Sequence, residues 1–257
     1  MLIESCIIAF AMYSALPMPR VEWNRENMQY ALCFFPLIGL VSSVLLALWR
    51  LFCLWLNFSD ILFAAGAVLL PVLVTGGIHL DGFCDTMDAL SSHREREKKL
   101  AILKDPHTGA FALIGLCCLF VSSFALWYEV SADGKTLLIL GTGFVLSRSL
   151  SGLAVTCFPI AKDTGLAYTF ASMSAKKRTS IWLCILCAVC MGGMVLLNPI
   201  FGGMCALASL LCFGYYYWMA KRQFGGITGD LAGYFLQLCE LFQLLAVVLG
   251  QRLLLLF

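Results

Sequence analysis

Runs of twenty or more apolar residues, separated by short polar islands, leave this chain few ways to fold. ALCFFPLIGLVSSVLLALWRLFCLWL, residues 31–56, carries a single charge, Arg50. A hydrocarbon core about 30 Å thick takes roughly 20 helical residues to cross, and a helix satisfies its own backbone there. Runs of this kind lie at 31–56, 61–79, 110–128, 136–158, 181–197, 200–220 and 235–257. They predict an all-α, polytopic helical membrane protein with seven transmembrane helices in one domain covering residues 1–257. The opening run LIESCIIAFAMYSAL is shorter, carries Glu4 and lacks the basic start of a secretory signal. It reads as a short N-terminal helix that either spans or lies in the interface.

Composition agrees. The chain is 61% hydrophobic and 12% charged, against about 45–50% and 25% in soluble domains. A net charge of +2, with most of its basic residues in loops rather than on one continuous face, gives no footprint for nucleic acid. Thirteen cysteines are scattered through apolar runs, where a thiol behaves as a small hydrophobe. Cys184, Cys187 and Cys190 share a helical spacing without a His or acid nearby, and are expected to pack rather than bind metal.

Lys and Arg alternate from loop to loop: two in 17–30, five in 80–109, four in 159–180 and two in 221–234, thirteen of the seventeen. The positive-inside rule puts these four segments in the cytoplasm. The polar islands that could do chemistry are therefore expected at one face.

The densest island is GGIHLDGFCDTMDAL, residues 76–90. At 100° per residue, Asp81, Asp85 and Asp88 fall within about 60° of one another on a helix. Two carboxylates about 6 Å apart repel by roughly 3 kcal/mol at an effective dielectric near 20, so burial calls for a cation. Oxygen ligands select a hard cation, and Mg²⁺ favours one or two carboxylates completed by water and substrate phosphate. The same stretch reads equally as a solvated acidic helix end.

Other islands follow. HREREKKLAILKDPHTGAF, residues 93–111, begins as a mixed-charge run expected simply to face water. It ends in Lys104, Asp105, Pro106, His107 and Gly109, where Asp105 stands at the return to the membrane. Arg148 lies inside a span and needs a partner, which a phosphate, an Asp or a packing pair with Glu240 would supply. FGGITGDLAGYFLQLCELF sets Gly225, Gly226 and Asp230 before the last span. Such glycines either cradle an anion or mark a turn.

These blocks together resemble the cobalamin synthase (adenosylcobinamide-GDP ribazoletransferase) family. GGIHLDGFCDTMDAL looks like its GG-[FL]-HLDGLADT-x-DG block, KDPHTGAF like [KR]-DSR-[IL]-G, and FGGITGDLAGYFLQLCE like GG-x-TGD-x-x-GA-x-x-E-x-x-E. ALPMPR, FPLIGL, Ser147–Arg148 and AKDTGLAYTF, residues 161–170, add weaker agreement. Ala89, Pro106, His107, Ala167 and Gln237 depart from the pattern.

The resemblance implies a transferase that joins adenosylcobinamide-GDP to α-ribazole, or its 5′-phosphate, and releases GMP. It assigns Mg²⁺ to Asp81, Asp85 and Asp88, and makes Asp105 or His79 the candidate that orients or deprotonates the attacking hydroxyl. Lys104, His107, Arg148, Gly225, Gly226, Asp230 and Glu240 become substrate-binding candidates. The implied setting is the bacterial cytoplasmic (inner) membrane with the site facing the cytoplasm. Oligomeric state stays open. Two rivals remain on the residues alone. A CDP-alcohol phosphotransferase of lipid synthesis also uses helix-end aspartates, but its motif fails after Asp81–Gly82. A cation-coupled transporter would place acids near midplane in repeated halves, and no repeat is visible.

Overall fold

The structure, a computed structural model, describes residues 1–255, so the last two residues of the run read at 235–257 lie outside it. Its helices are α1 (Leu2–Tyr13), α2 (Arg25–Met28), α3 (Ala31–Trp55), α4 (Asp60–Thr75), α5 (Ile78–Ser91), α6 (Arg96–Ile102), α7 (Ala110–Glu129), α8 (Gly134–Cys157), α9 (Leu166–Met173), α10 (Lys176–Leu197), α11 (Phe201–Met219) and α12 (Gly229–Leu254), and a π-helical turn, Ala220–Phe224, extends α11. Among the described residues β pairing amounts to one isolated parallel bridge, Ile160 to Ile227.

Six helices are long and apolar enough to cross a bilayer: α3, α7, α8, α10, α11 with its π turn, and α12. The run expected at 61–79 is divided. α4 and α5 pass the same test only together, meeting at 96°, and as one broken span they bring the number to seven. The break has a local cause. Gly76 and Gly77 both take left-handed φ, 63° and 79°, which glycine adopts without a Cβ penalty. The Gly77 N–H closes α4 on the Val72 carbonyl at 3.1 Å, the bond of a Schellman terminus. α1, with 12 residues, is about 18 Å long at 1.5 Å per residue and too short to cross. It buries Ile8 and Ala9 and packs on α3.

α8 occupies the centre, packed against α3, α10 and α12. Its Gly141, Gly143, Ser147, Ser149, Ser151 and Gly152 are small, and all are buried. Small residues let helix backbones approach where lipid offers no hydrophobic drive between helices. α7 and α10 lie outside, presenting Ile114, Val121, Ile185 and Val189 to the surroundings. In α10, Cys187 and Cys190 are buried and Cys184 is exposed, all as free thiols.

The basic segments gather at one end. Ala175 N–H bonds to Gln29 O at 3.0 Å, and Ala161 N–H to Ile227 O at 3.0 Å. Lys162 Nζ bonds to Leu100 O at 2.7 Å. α6 is also drawn in. The run at 93–99, expected to face water, buries Lys99 at 6% exposure, with Nζ 2.5 Å from Gln223 Oε1 on the π turn. A charged residue without its own apolar partner is buried here because a neighbouring amide receives it.

Candidate active site

The 96° turn at Gly76–Gly77 sets α5 beside α12 and α7 rather than in line with α4. α5 buries His79, Gly82, Phe83, Thr86 and Ala89, and leaves Asp81 exposed and Asp85 and Asp88 half-buried. Its contact with α12 is backbone to backbone. A Cβ on Gly82 would lie 2.6 Å from Asp230 O, and one on Gly233 2.8 Å from His79 O. Phe83 stacks on Tyr234 beside this crossing, at 5.5 Å.

That close approach adds a fourth carboxylate. Asp85 lies within electrostatic reach of Asp81, Asp230 and Asp88. Asp230 sits in the first turn of α12, beside the N-cap Thr228, whose hydroxyl donates to Asp230 Oδ2 at 3.3 Å. Asp88 has a further task. Its Oδ2 accepts from Gly109 N–H at 2.6 Å and its Oδ1 from Ala112 N–H at 2.8 Å. It thereby satisfies free N–H groups at the start of α7 and ties KDPHTG to α5.

Cations face the acids. Burial, and next the charge of Lys104, lower the pKa of Lys162, while Asp230 acts the other way. Lys162 is therefore within electrostatic reach of both Lys104 and Asp230. Gly226 makes this placement available. A Cβ there would lie 2.5 Å from Ala161 N, so only glycine lets 225–228 lie against 159–162. Gly225, in left-handed φ of 78°, underlies the Arg96 guanidinium. Both glycines take part in loop packing, as the turn reading of their motif expects.

Asp105 and His107 form an exposed turn apart from this packing. Asp105 Oδ1 accepts from His107 N–H at 3.0 Å and stands 2.7 Å from His107 Nδ1. Those bonds, the backbone N–H first, hold the Asp105 carboxyl below its ordinary range.

Arg148 and Glu240 are occupied by each other. Arg148 is 1% exposed, and its NH1 lies 2.5 Å from Glu240 Oε1, which also accepts from Ser147 Oγ at 3.1 Å. The helix-packing pair, rather than a substrate contact, is what the geometry supports for both.

Beside Asp81 and Asp230 a cavity of about 240 Å³ opens among α1, α3, α5, α8, α9 and α12. His79 lines it at 5% exposure, and its Nε2 has no hydrogen-bond partner in the protein. Lys162, whose one signal in the sequence was its place in AKDTGLAYTF, was not among the expected site residues.

Among the described residues no three His, Cys, Asp or Glu side chains form a ready metal cage. The donors that do gather are carboxylate oxygens, which suit a hard cation completed by water and phosphate. The donor chemistry thus fits Mg²⁺ and not a soft metal.

Fold and site define an integral membrane protein with a carboxylate cluster, Lys162 in reach of it, beside a cavity that Asp81 and Asp230 line. The chain belongs to the cobalamin-5-phosphate synthase family, whose sequence profile matches residues 5–248. It is 45% identical over 249 residues to the adenosylcobinamide-GDP ribazoletransferase of Lachnoclostridium phytofermentans, covering 97% of this chain and 95% of the relative. A protein of the same name from Clostridium botulinum is 31% identical over 255 residues, covering 96% and 98%. Another from Treponema denticola is 30% identical over 251 residues, covering 91% and 94%. No solved structure matches.

Proposed function

We propose that this protein transfers a cobinamide phosphate from adenosylcobinamide-GDP to α-ribazole or its 5′-phosphate and releases GMP, in the last steps of cobalamin biosynthesis. The observation that carries the reading is the convergence of Asp81, Asp85, Asp88 and Asp230, with Lys162 in electrostatic reach, beside a cavity that Asp81 and Asp230 line, in a chain matched almost end to end by relatives of that name.

A ribose hydroxyl oxygen forms a bond to the phosphorus attached to the cobinamide aminopropanol. The bond from that phosphorus to the GMP oxygen breaks, and GMP leaves with the electron pair. The hydroxyl proton passes to Asp230, which lines the cavity mouth. Asp105 is committed to its own turn and serves to shape the loop, and His79 lies inside the cavity wall. Lys104 and Lys162 bind the diphosphate, with His107 at the exposed edge of the same loop. Asp81 and Asp85 would hold Mg²⁺, and Asp88 would contribute through the lone pairs its two backbone bonds leave over. When bound, the ion neutralises charge on the transferring phosphoryl group. Otherwise the chain's residues position and exclude water.

The basic end faces the cytoplasm of a bacterial inner membrane under this reading. Protease added outside intact cells should leave the 93–109 loop uncut, and cutting there would reverse the orientation. For the activity, purified protein in detergent is given adenosylcobinamide-GDP, α-ribazole and Mg²⁺. GMP release with cobalamin formation is expected, and loss of both with EDTA. Absence of product under these conditions, or turnover of a CDP-alcohol instead, would overturn the reading.

A further inference from the structure

The cavity beside Asp81 and Asp230 is walled in part by aromatic rings. Tyr13 and Phe35 meet in it with ring centroids 4.2 Å apart. His79 lies edge-on to Phe35 at 5.9 Å and stacked against Tyr13 at 6.4 Å. Val155 and Leu236 add aliphatic wall. At about 240 Å³ it is smaller than the ~300–1,000 Å³ of drug-sized ligand sites. A bicyclic aromatic ring is the largest group it suits, and a corrin macrocycle is excluded.

His79 supplies the polar feature. It is 5% exposed, lines the cavity and leaves a ring nitrogen unpaired inside the protein. Buried polar groups are nearly always satisfied, and an imidazole without a partner in a cavity wall is one that a ligand can complete.

We propose that this cavity is the subsite for the planar base of the nucleoside substrate, with the base against Tyr13 and Phe35 and its free ring nitrogen hydrogen-bonded to the His79 imidazole. The assignment rests on the transferase reading above and deepens it. It sets the ribose at the mouth, where its hydroxyl meets Asp81 and Asp230. It also makes the cavity selective. A benzimidazole-type base offers one acceptor nitrogen and otherwise apolar surface, whereas the exocyclic amine of a purine would enter the apolar wall unpaired.

Equilibrium dialysis tests this without turnover, using radiolabelled α-ribazole and its analogue with indole as the base, which lacks the free ring nitrogen. The unaltered protein should bind the analogue about 5–10-fold more weakly, the share of one neutral hydrogen bond. His79→Phe should weaken α-ribazole binding to the level of the analogue and no longer tell the two apart. Val155→Phe, which fills the cavity and leaves His79 in place, should cost α-ribazole at least about tenfold while binding of adenosylcobinamide-GDP holds. Equal binding of both nucleosides by the unaltered protein, unchanged α-ribazole binding in Val155→Phe, or an equal loss of the corrinoid in both variants would overturn the subsite. Failure of the transferase reading shows differently, as absent GMP release from a protein that still binds the nucleoside in this pattern.

Discussion

Two sets of charges lie within this apolar chain, and the protein treats them oppositely. Arg148 and Glu240 are deep between α8 and α12, paired at 2.5 Å and supported by Ser147. Asp81, Asp85, Asp88 and Asp230 crowd together at the basic end, where Asp85 feels the other three. The first set has its counter-charge built in, so it can be buried and contributes to helix packing. The second has an excess of one sign and is kept near solvent; under the proposed reading a bound cation would offset it. In a membrane protein the unbalanced cluster is where to look for chemistry, and the balanced pair is where to look for stability.

The sharpest break of that contrast is Asp81→Asn or Asp85→Asn. Each keeps the side chain's size and removes one charge, so GMP release should fall by on the order of 10³-fold. Thermal unfolding in detergent without metal should hold steady or rise slightly, because carboxylate repulsion is relieved. Wild-type rates at saturating Mg²⁺ would show that the cluster is only a solvated helix end.

The buried pair should respond the other way. Glu240→Gln strands a guanidinium that is 1% exposed, and loss of one partner of a buried pair costs about 3–5 kcal/mol. A large drop in unfolding temperature is expected, with partial recovery in the double variant Arg148→Met/Glu240→Leu. Normal stability with lost substrate affinity would instead return both residues to the site.

Asp88 stands between the two sets, since its carboxylate belongs to the acidic group yet holds the start of α7. Asp88→Ala should therefore cost about 0.5–2 kcal/mol of stability, the usual worth of a helix cap, together with activity. Asp88→Asn, which keeps one acceptor oxygen, should cost less stability. Smallest of all, Glu95→Gln or Glu97→Gln on exposed positions of the neighbouring basic segment should leave stability within about 0.5 kcal/mol and turnover unchanged. Damage equal to that of the Asp variants would mean that general charge, rather than a defined cluster, governs activity.

Hydropathy settled the class of fold, because twenty apolar residues in a row have one stable arrangement in lipid. Helical spacing alone put Asp81, Asp85 and Asp88 on one face, since that follows directly from 100° per residue. The motif blocks carried the family, and the profile match over residues 5–248 bears it out. Three matters lay beyond the sequence. Gly76–Gly77 fell inside the single run expected at 61–79, but two successive left-handed residues turn the chain by 96° and swing the acids against α12. Asp230, far along the chain, joins them only because Gly82 and Gly233 let two backbones touch. Arg148 had several partners open to it and took Glu240. In each case the local pattern names the residue, while its partner is chosen by helices meeting across long stretches of chain, through packing distances that no run of neighbouring residues encodes.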